Sequence, residues 1–206
     1  MLDFGSMIFR IPALLFAITI HEYAHAQAAD AMGDPTARYM GRMTMNPMAH
    51  LDPIGALLLV TVGFGWAKPV QINPNNFRNR KEGLLKVSLA GPAANLFVCF
   101  FAALVGAIMN NLGMMSQGVY QFLLWMQLYN VWFAFFNLVP VPPLDGSKIL
   151  CELLPPKQAW DYENFVGRYG FYILLALVFT GIIGMIINPL ATGYMVLVNN
   201  IIGIVF

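Results

Sequence analysis

The sequence predicts an all-α polytopic membrane protein, and its composition carries that prediction. Hydrophobic residues make up 59% of the 206 residues and charged residues only 10%, whereas a soluble domain has about 25% charged residues. The charges are also confined, since none occurs in the 58 residues from Val87 to Leu144 or in the 38 from Tyr169 to Phe206. Because a helix needs about 20 apolar residues to cross a bilayer, each block has room for two spans.

The apolar and polar stretches predict about five transmembrane helices within a single domain, 1–206. A tight reversal at Asn188-Pro189 should separate the last two helices. The segment 54–66, IGALLLVTVGFGW, is too short to span and rich in Val, Thr, Phe and Gly. We expect it to be a strand-like or re-entrant segment between the first two helices, covered by protein. The predicted spans are 7–30, 86–109, 119–138, 169–187 and 190–205.

The distribution of positive charge predicts the orientation. Most Lys and Arg residues lie in two connections, 33–81 and 145–168, and positively charged loops stay in the cytoplasm. We therefore place both loops inside the cell and the uncharged turn at 110–118 outside, as in a multi-pass protein of the cell membrane. A net charge of +1 argues against nucleic acid as a partner. No residue indicates an oligomeric state.

The first predicted span carries the motif HEYAH, from His21 to His25. Histidines four residues apart share one face of a helix, so both can bind one Zn²⁺, and the adjacent Glu22 can take a proton from water at the metal. Ionisable side chains inside a membrane helix are costly and usually mark function. Two other interpretations are a signal peptide, although the start lacks a basic region, and histidines that merely bond to neighbouring helices.

A third ligand is needed, because catalytic zinc usually has three protein ligands and a water. Asp145, in FNLVPVPPLDGSKIL, is a better candidate than Glu82, which lies in a basic loop. Prolines break the chain before Asp145, and irregular backbone at membrane depth is tolerated where it is buried or lines a cavity. The predicted topology brings Asp145 and His25 to similar depth. Asp145 could instead cap a helix starting at Gly146, and His50 could be an alternative ligand or a neighbour of the ligands.

On these motifs the sequence resembles the site-2 proteases, zinc intramembrane metalloproteases, in a minimal form without PDZ or CBS domains. The resemblance rests on HEYAH and NLVPVPPLDG, and also on LAGPAANL and GWAKPVQINPNNFRN. It implies one zinc ion held by His21, His25 and Asp145, with Glu22 as the general base. It implies an endopeptidase that hydrolyses peptide bonds in or near transmembrane segments of membrane-protein substrates. The active site would lie towards the cytoplasmic side of the bilayer.

Two asparagines within the apolar helices are further candidates. Asn95 could donate to the oxyanion of the reaction or pin a substrate strand, or it could bond between helices. Asn137 could act in the same way, although it is better suited to satisfying carbonyls that the following prolines set free. An alternative function keeps the same ligands: a non-enzymatic metal-binding membrane protein or metal transporter would not need Glu22 as a base.

Overall fold

The computed structural model describes residues 4–55 and 67–206, and this part of the chain is helical, with an isolated antiparallel bridge between Leu51 and Ala67 but no strand. The segment predicted to be strand-like or re-entrant, 54–66, lies almost entirely outside the described residues. The helices are α1 (Phe4–Ala31), α2 (Thr36–Tyr39), α3 (Arg80–Asn111), α4 (Gln117–Asn137), α5 (Asp145–Leu153), α6 (Pro156–Phe179) and α7 (Ile182–Gly203). Short 3₁₀ turns occur at Pro47–Ala49 and Pro74–Asn76.

Three of the described helices are long and apolar enough to cross a membrane, over Gly5–Ala31, Arg80–Asn111 and Ile182–Gly203. This confirms the prediction of an all-α membrane protein. The other two predicted spans, in α4 and α6, are less apolar. In α4 the polarity comes from side-chain amides rather than charges, at Gln117, Gln121, Gln127, Asn130 and Asn137. That α4 and α6 cross the bilayer stays a prediction.

The first three predicted spans correspond to α1, α3 and α4, although α3 begins six residues earlier than predicted, at Arg80. The reversal predicted at Asn188-Pro189 is wrong. The chain turns at Gly181 instead, whose φ of +75° is a left-handed conformation that glycine adopts without steric cost. Helix α7 then runs through Pro189. Ile187 and Ala191 are buried on either side of the proline, so packing against neighbouring helices holds the helix together there.

The predicted start of the fourth span, at residue 169, is also wrong, because α6 begins at Pro156. A proline suits the first turn of a helix, since its missing N–H has no acceptor there and its φ is already helical. The charged stretch up to Arg168 therefore forms the first part of α6, ahead of its apolar part, instead of a loop.

The core of the fold is formed by α1, α3 and α4, which pack against one another. Helix α1 presents alanines to its neighbours, and small residues allow helices to approach closely. The fully buried alanines of α1 are Ala13, Ala17, Ala26 and Ala29. Helix α5 packs on α3, α6 on α5 and α7, and α7 on α3 and α4. The C-terminal half of α1 carries HEYAH, and its motif residues His21, Glu22 and His25 are buried.

Candidate metal centre and active site

The two histidines of HEYAH face the same neighbours, as their spacing predicts. His21 and His25 are 2% and 6% exposed, and their Nε2 atoms lie 3.0 Å apart. Their rings meet edge to face, with centroids 4.5 Å apart. A regular α1 is sufficient for this arrangement, because residues four apart lie one above the other on a helix.

Hydrogen bonds from α3 and its neighbours fix the proton positions of both rings. The Nδ1 of His25 lies 2.7 Å from the carbonyl oxygen of Val87, which can only accept, so this Nδ1 carries the proton. The Nδ1 of His21 lies 2.7 Å from the side-chain oxygen of Asn95. The Asn95 amide nitrogen donates to the Ala17 carbonyl and to the Asn130 side chain, at 2.9 and 2.8 Å, which leaves its oxygen as the acceptor. A neutral histidine at either position therefore presents the lone pair of its Nε2.

Asp145 is the first residue of α5 and joins the histidines. Its Oδ2 lies 3.1 Å from the Nε2 of His21 and 3.0 Å from that of His25. The N-cap of α5 is Leu144, and no side chain caps this helix, so the alternative role of Asp145 as an N-cap is wrong. The other carboxylate oxygen, Oδ1, accepts a 3.2 Å hydrogen bond from Lys148, a partner that sequence reasoning missed.

The three convergent atoms are suited to bind a metal cation between them. When both histidines are neutral, two unprotonated nitrogens and a carboxylate oxygen face one another in a buried site, and a cation between them would satisfy all three. Ligands of a tetrahedral zinc ion, bound at about 2.0–2.1 Å, lie roughly 3.3 Å from one another. The observed separations of 3.0 to 3.1 Å are close to that edge length. In the described part of the chain, His21, His25 and Asp145 are the one group able to hold a metal ion, and they suit zinc.

Two glycines make room for this convergence. A Cβ added at Gly91 of α3 would lie 2.6 Å from the Cε1 of His21 and 2.6 Å from the Nε2 of His25. A Cβ added at Gly146 would lie 2.6 Å from the carbonyl oxygen of Val139. Real side chains essentially never show such contacts. Helix α3 can therefore approach α1, and α5 can approach the turn before it, only because these two positions lack a side chain.

Glu22 is held on the same helix, next to the ligands. Its side chain is buried, and its Oε2 accepts a 2.8 Å hydrogen bond from the backbone N–H of Val70. Sequence reasoning missed Val70, because a backbone donor leaves no signal in the residue type. The only available signal was the segment GWAKPVQINPNNFRN, which contains Val70.

The other candidate residues contribute no atom to the group that could hold the metal ion. Both N–H groups of Asn95 are engaged between helices, so the geometry fits its interhelical role and leaves no donor for an oxyanion. Asn137 donates to the Phe133 carbonyl one turn back in α4. His50 is fully buried, donates from Nε2 to the Thr44 carbonyl and does not belong to the metal-ligand group.

Comparison with known proteins decides the family. The model of peptidase family M50 matches residues 107–179, which include Asp145 but not HEYAH. A Bacillus subtilis protein named "Putative zinc metalloprotease YwhC" is 38% identical over 190 residues, which cover 89% of this chain and 86% of that protein. The chain belongs to peptidase family M50. The predicted site-2 protease family is thereby confirmed, together with zinc as the cofactor and metalloprotease as the enzyme class.

More distant relatives of this M50 chain carry similar names. "Putative zinc metalloprotease Rip2" of Mycolicibacterium smegmatis is 28% identical over 183 residues, covering 85% of this chain and 68% of the relative. "Zinc metalloprotease MJ0392" of Methanocaldococcus jannaschii is 23% identical over 173 residues, covering 84% of this chain but 42% of the relative. No solved structure matches the chain.

Proposed function

We propose that this M50 metalloprotease is an intramembrane endopeptidase that hydrolyses peptide bonds in or near transmembrane segments of membrane proteins. The observation that carries the proposal is the position of the ligands. His21, Glu22 and His25 lie within a helix long and apolar enough to cross a membrane, and Asp145 meets them there. A peptide bond must therefore reach the depth of that helix to be cleaved.

The proposed roles follow from the donor set. His21, His25 and Asp145 would hold the zinc ion. When bound, zinc polarises the scissile carbonyl and lowers the pKa of water to about 7. Glu22 is the general base that takes the proton from the attacking water, and it then returns that proton to the leaving amine. Because Asn95 and Val87 keep the imidazole protons on Nδ1, both Nε2 atoms stay available throughout.

The depth of the site supports a membrane substrate. His21 lies ten residues before the end of α1 at Ala31, which is about 15 Å at a rise of 1.5 Å per residue. A helical substrate keeps its carbonyls hydrogen-bonded, so it must unwind locally before attack. We propose that the apolar segment 54–66 pairs with the unwound strand by β-addition. We also propose that the site lies towards the cytoplasm, because the basic residues within 33–81 and 145–168 are expected on that side of the membrane.

The proposal is tested by cleavage in a purified system. The wild-type chain and Glu22→Gln are incubated in detergent with a fusion protein that has one transmembrane segment between two soluble tags. We expect the wild type to cut within or beside the transmembrane segment. Glu22→Gln should retain one zinc ion per chain and lose at least about 100-fold in rate, which is the usual contribution of a general base.

The outcome also separates the protease from the metal transporter. A transporter uses the same ligands without a base, so Glu22→Gln would keep zinc flux into proteoliposomes. Wild-type protein that holds zinc, carries it across the bilayer and leaves the fusion protein intact would refute the proposed endopeptidase. Cleavage confined to the soluble tags would refute the intramembrane assignment alone.

A further inference from the structure

The segment 67–77, here called the strap, runs past the C-terminal half of α1 and contacts Glu22, the proposed general base. The backbone N–H of Val70 donates to the Oε2 of Glu22 at 2.8 Å. Glu22 and Val70 are each 8% exposed, so the bond is shielded from water. In the described part of the chain, no hydrogen bond reaches the other oxygen, Oε1.

The strap is fastened on both sides of Val70. On one side, the Lys68 carbonyl accepts a 2.5 Å hydrogen bond from Arg42, and the Lys68 N–H donates to the His50 carbonyl at 2.9 Å. On the other side, the Asn73 N–H donates to the Oδ2 of Asp34 at 2.7 Å. These partners all lie between the end of α1 and residue 55. The strap is therefore anchored to the stretch of chain that directly follows the helix carrying Glu22.

Two further contacts define the position of the Val70 backbone. The Val70 side chain packs in a small apolar cluster with Ala26 of α1 and Ala37 of α2. Asp34, which is fully buried, also accepts a 2.7 Å hydrogen bond from the Asn76 side chain through its Oδ1. The N–H of Val70 is thus presented to Glu22 by a structure that is itself fixed at several points.

We infer that the Val70 N–H is a positioning group for catalysis, which holds Glu22 so that Oε1 is the oxygen that receives the proton from water. A glutamate side chain has three rotatable bonds, and a hydrogen bond to one oxygen removes most of that freedom. A base misplaced by about 1 Å costs on the order of 100-fold in rate. This inference rests on the proposed function, because it assumes that Glu22 acts as the general base.

The test removes the N–H and keeps the valine side chain. Val70 is replaced by its α-hydroxy acid through nonsense suppression, which changes the amide before residue 70 into an ester. The matched control is the same replacement at Gln71, an exposed neighbour whose N–H makes no hydrogen bond in the described part of the chain. Both proteins are assayed on the fusion substrate with one transmembrane segment, and their zinc content and unfolding temperature are measured.

We expect the ester at Val70 to lower kcat by about 100-fold, with KM changed less than about threefold and one zinc ion retained. The ester at Gln71 should keep wild-type kcat. The inference is overturned if the two esters have the same kcat, or if the Val70 ester alone loses zinc or unfolds, since the bond would then serve stability. A wild type that binds zinc without cleaving would instead refute the proposed function itself.

Discussion

The Nδ1 of His21 donates a 2.7 Å hydrogen bond to the side-chain oxygen of Asn95 on α3. Asn95 in turn donates to the Ala17 carbonyl, one turn before His21 on α1, and to Asn130 on α4. A single amide therefore joins the three core helices at the level of the proposed metal ligands. Such partners fix the orientation and tautomer of a metal-binding histidine.

Asn95→Ala should weaken zinc binding, because His21 would lose the acceptor that holds its proton on Nδ1. Loss of such a partner typically costs about 10- to 100-fold in metal affinity, and we expect a loss in that range. The measurement is competition between the purified protein and a chromophoric zinc chelator.

Asn137→Ala is the comparison for this variant. Its amide bonds within α4 to the Phe133 carbonyl, so we expect zinc affinity within about threefold of the wild type, well below the loss expected for a ligand's partner. Equal zinc affinity in the two variants would contradict the role assigned to Asn95.

Asp145→Ala should weaken zinc binding by more than any loss of an outer partner, that is, by more than about 100-fold. It removes one of three ligand atoms and leaves two imidazoles, too few for a catalytic zinc site.

His50→Ala should retain zinc, because the His50 ring bonds to the Thr44 carbonyl and lies outside the ligand group. Zinc per folded chain, measured by atomic emission after gel filtration, checks both. Retention by Asp145→Ala together with loss by His50→Ala would show that the third ligand is assigned wrongly.

The sequence was sufficient to predict the three proposed ligands that the structure brings together, because each is a polar residue whose surroundings are apolar. His21 and His25 stand four apart in a mostly apolar helix, and Asp145 is the only acidic residue between Glu82 and Glu152. The cost of an idle charge in such a place makes its position informative. The core helices α1, α3 and α4 were predictable for the related reason that long apolar stretches have few alternatives in a membrane.

Other features could not be predicted, because they depend on the backbone or on packing between distant helices. The donor to Glu22 is an N–H, which every residue except proline possesses, so nothing marks Val70 in the sequence. The reversal at Gly181 was assigned to Asn188-Pro189, since a proline normally interrupts a helix. Buried residues on both sides of Pro189 outweighed that local preference, and only the assembled bundle shows this.

Asp34 should make the stability of the chain depend on pH in the acid range. Burial favours the neutral acid, but hydrogen bonds from Thr36, Asn73 and Asn76 outweigh it and hold the pKa of Asp34 below its ordinary value. Its stabilising contribution is therefore complete above about pH 4, the ordinary value, and is lost as the pH falls through the lowered pKa. Removing the charge with Asp34→Asn should remove this part of the pH dependence.

The measurement for Asp34 is the unfolding temperature in detergent between pH 7 and pH 3. At pH 7, Asp34→Asn should unfold about 4–8 °C lower, if the charged hydrogen bonds are worth about 2 kcal/mol. That difference should shrink as the pH falls below about 4, where the carboxyl is protonated in the unfolded chain, and it should vanish once the pH passes below the lowered pKa of the folded state. A difference that is constant over the whole range would contradict the lowered pKa, and no difference at any pH would contradict the anchoring of the strap.

Gly91→Ala should abolish zinc binding, because the added Cβ would lie 2.6 Å from atoms of both His21 and His25. Displacing either ring would break its Nδ1 hydrogen bond to Asn95 or Val87. The matched control is Gly106→Ala on the same helix, where the nearest atom would be a Leu123 methyl at an ordinary 3.7 Å. In a helix interior, alanine is favoured over glycine by about 1 kcal/mol, so Gly106→Ala should keep zinc and unfold at the same or a higher temperature. If Gly91→Ala also keeps one zinc ion per chain, then α3 does not approach the ligands as closely as described.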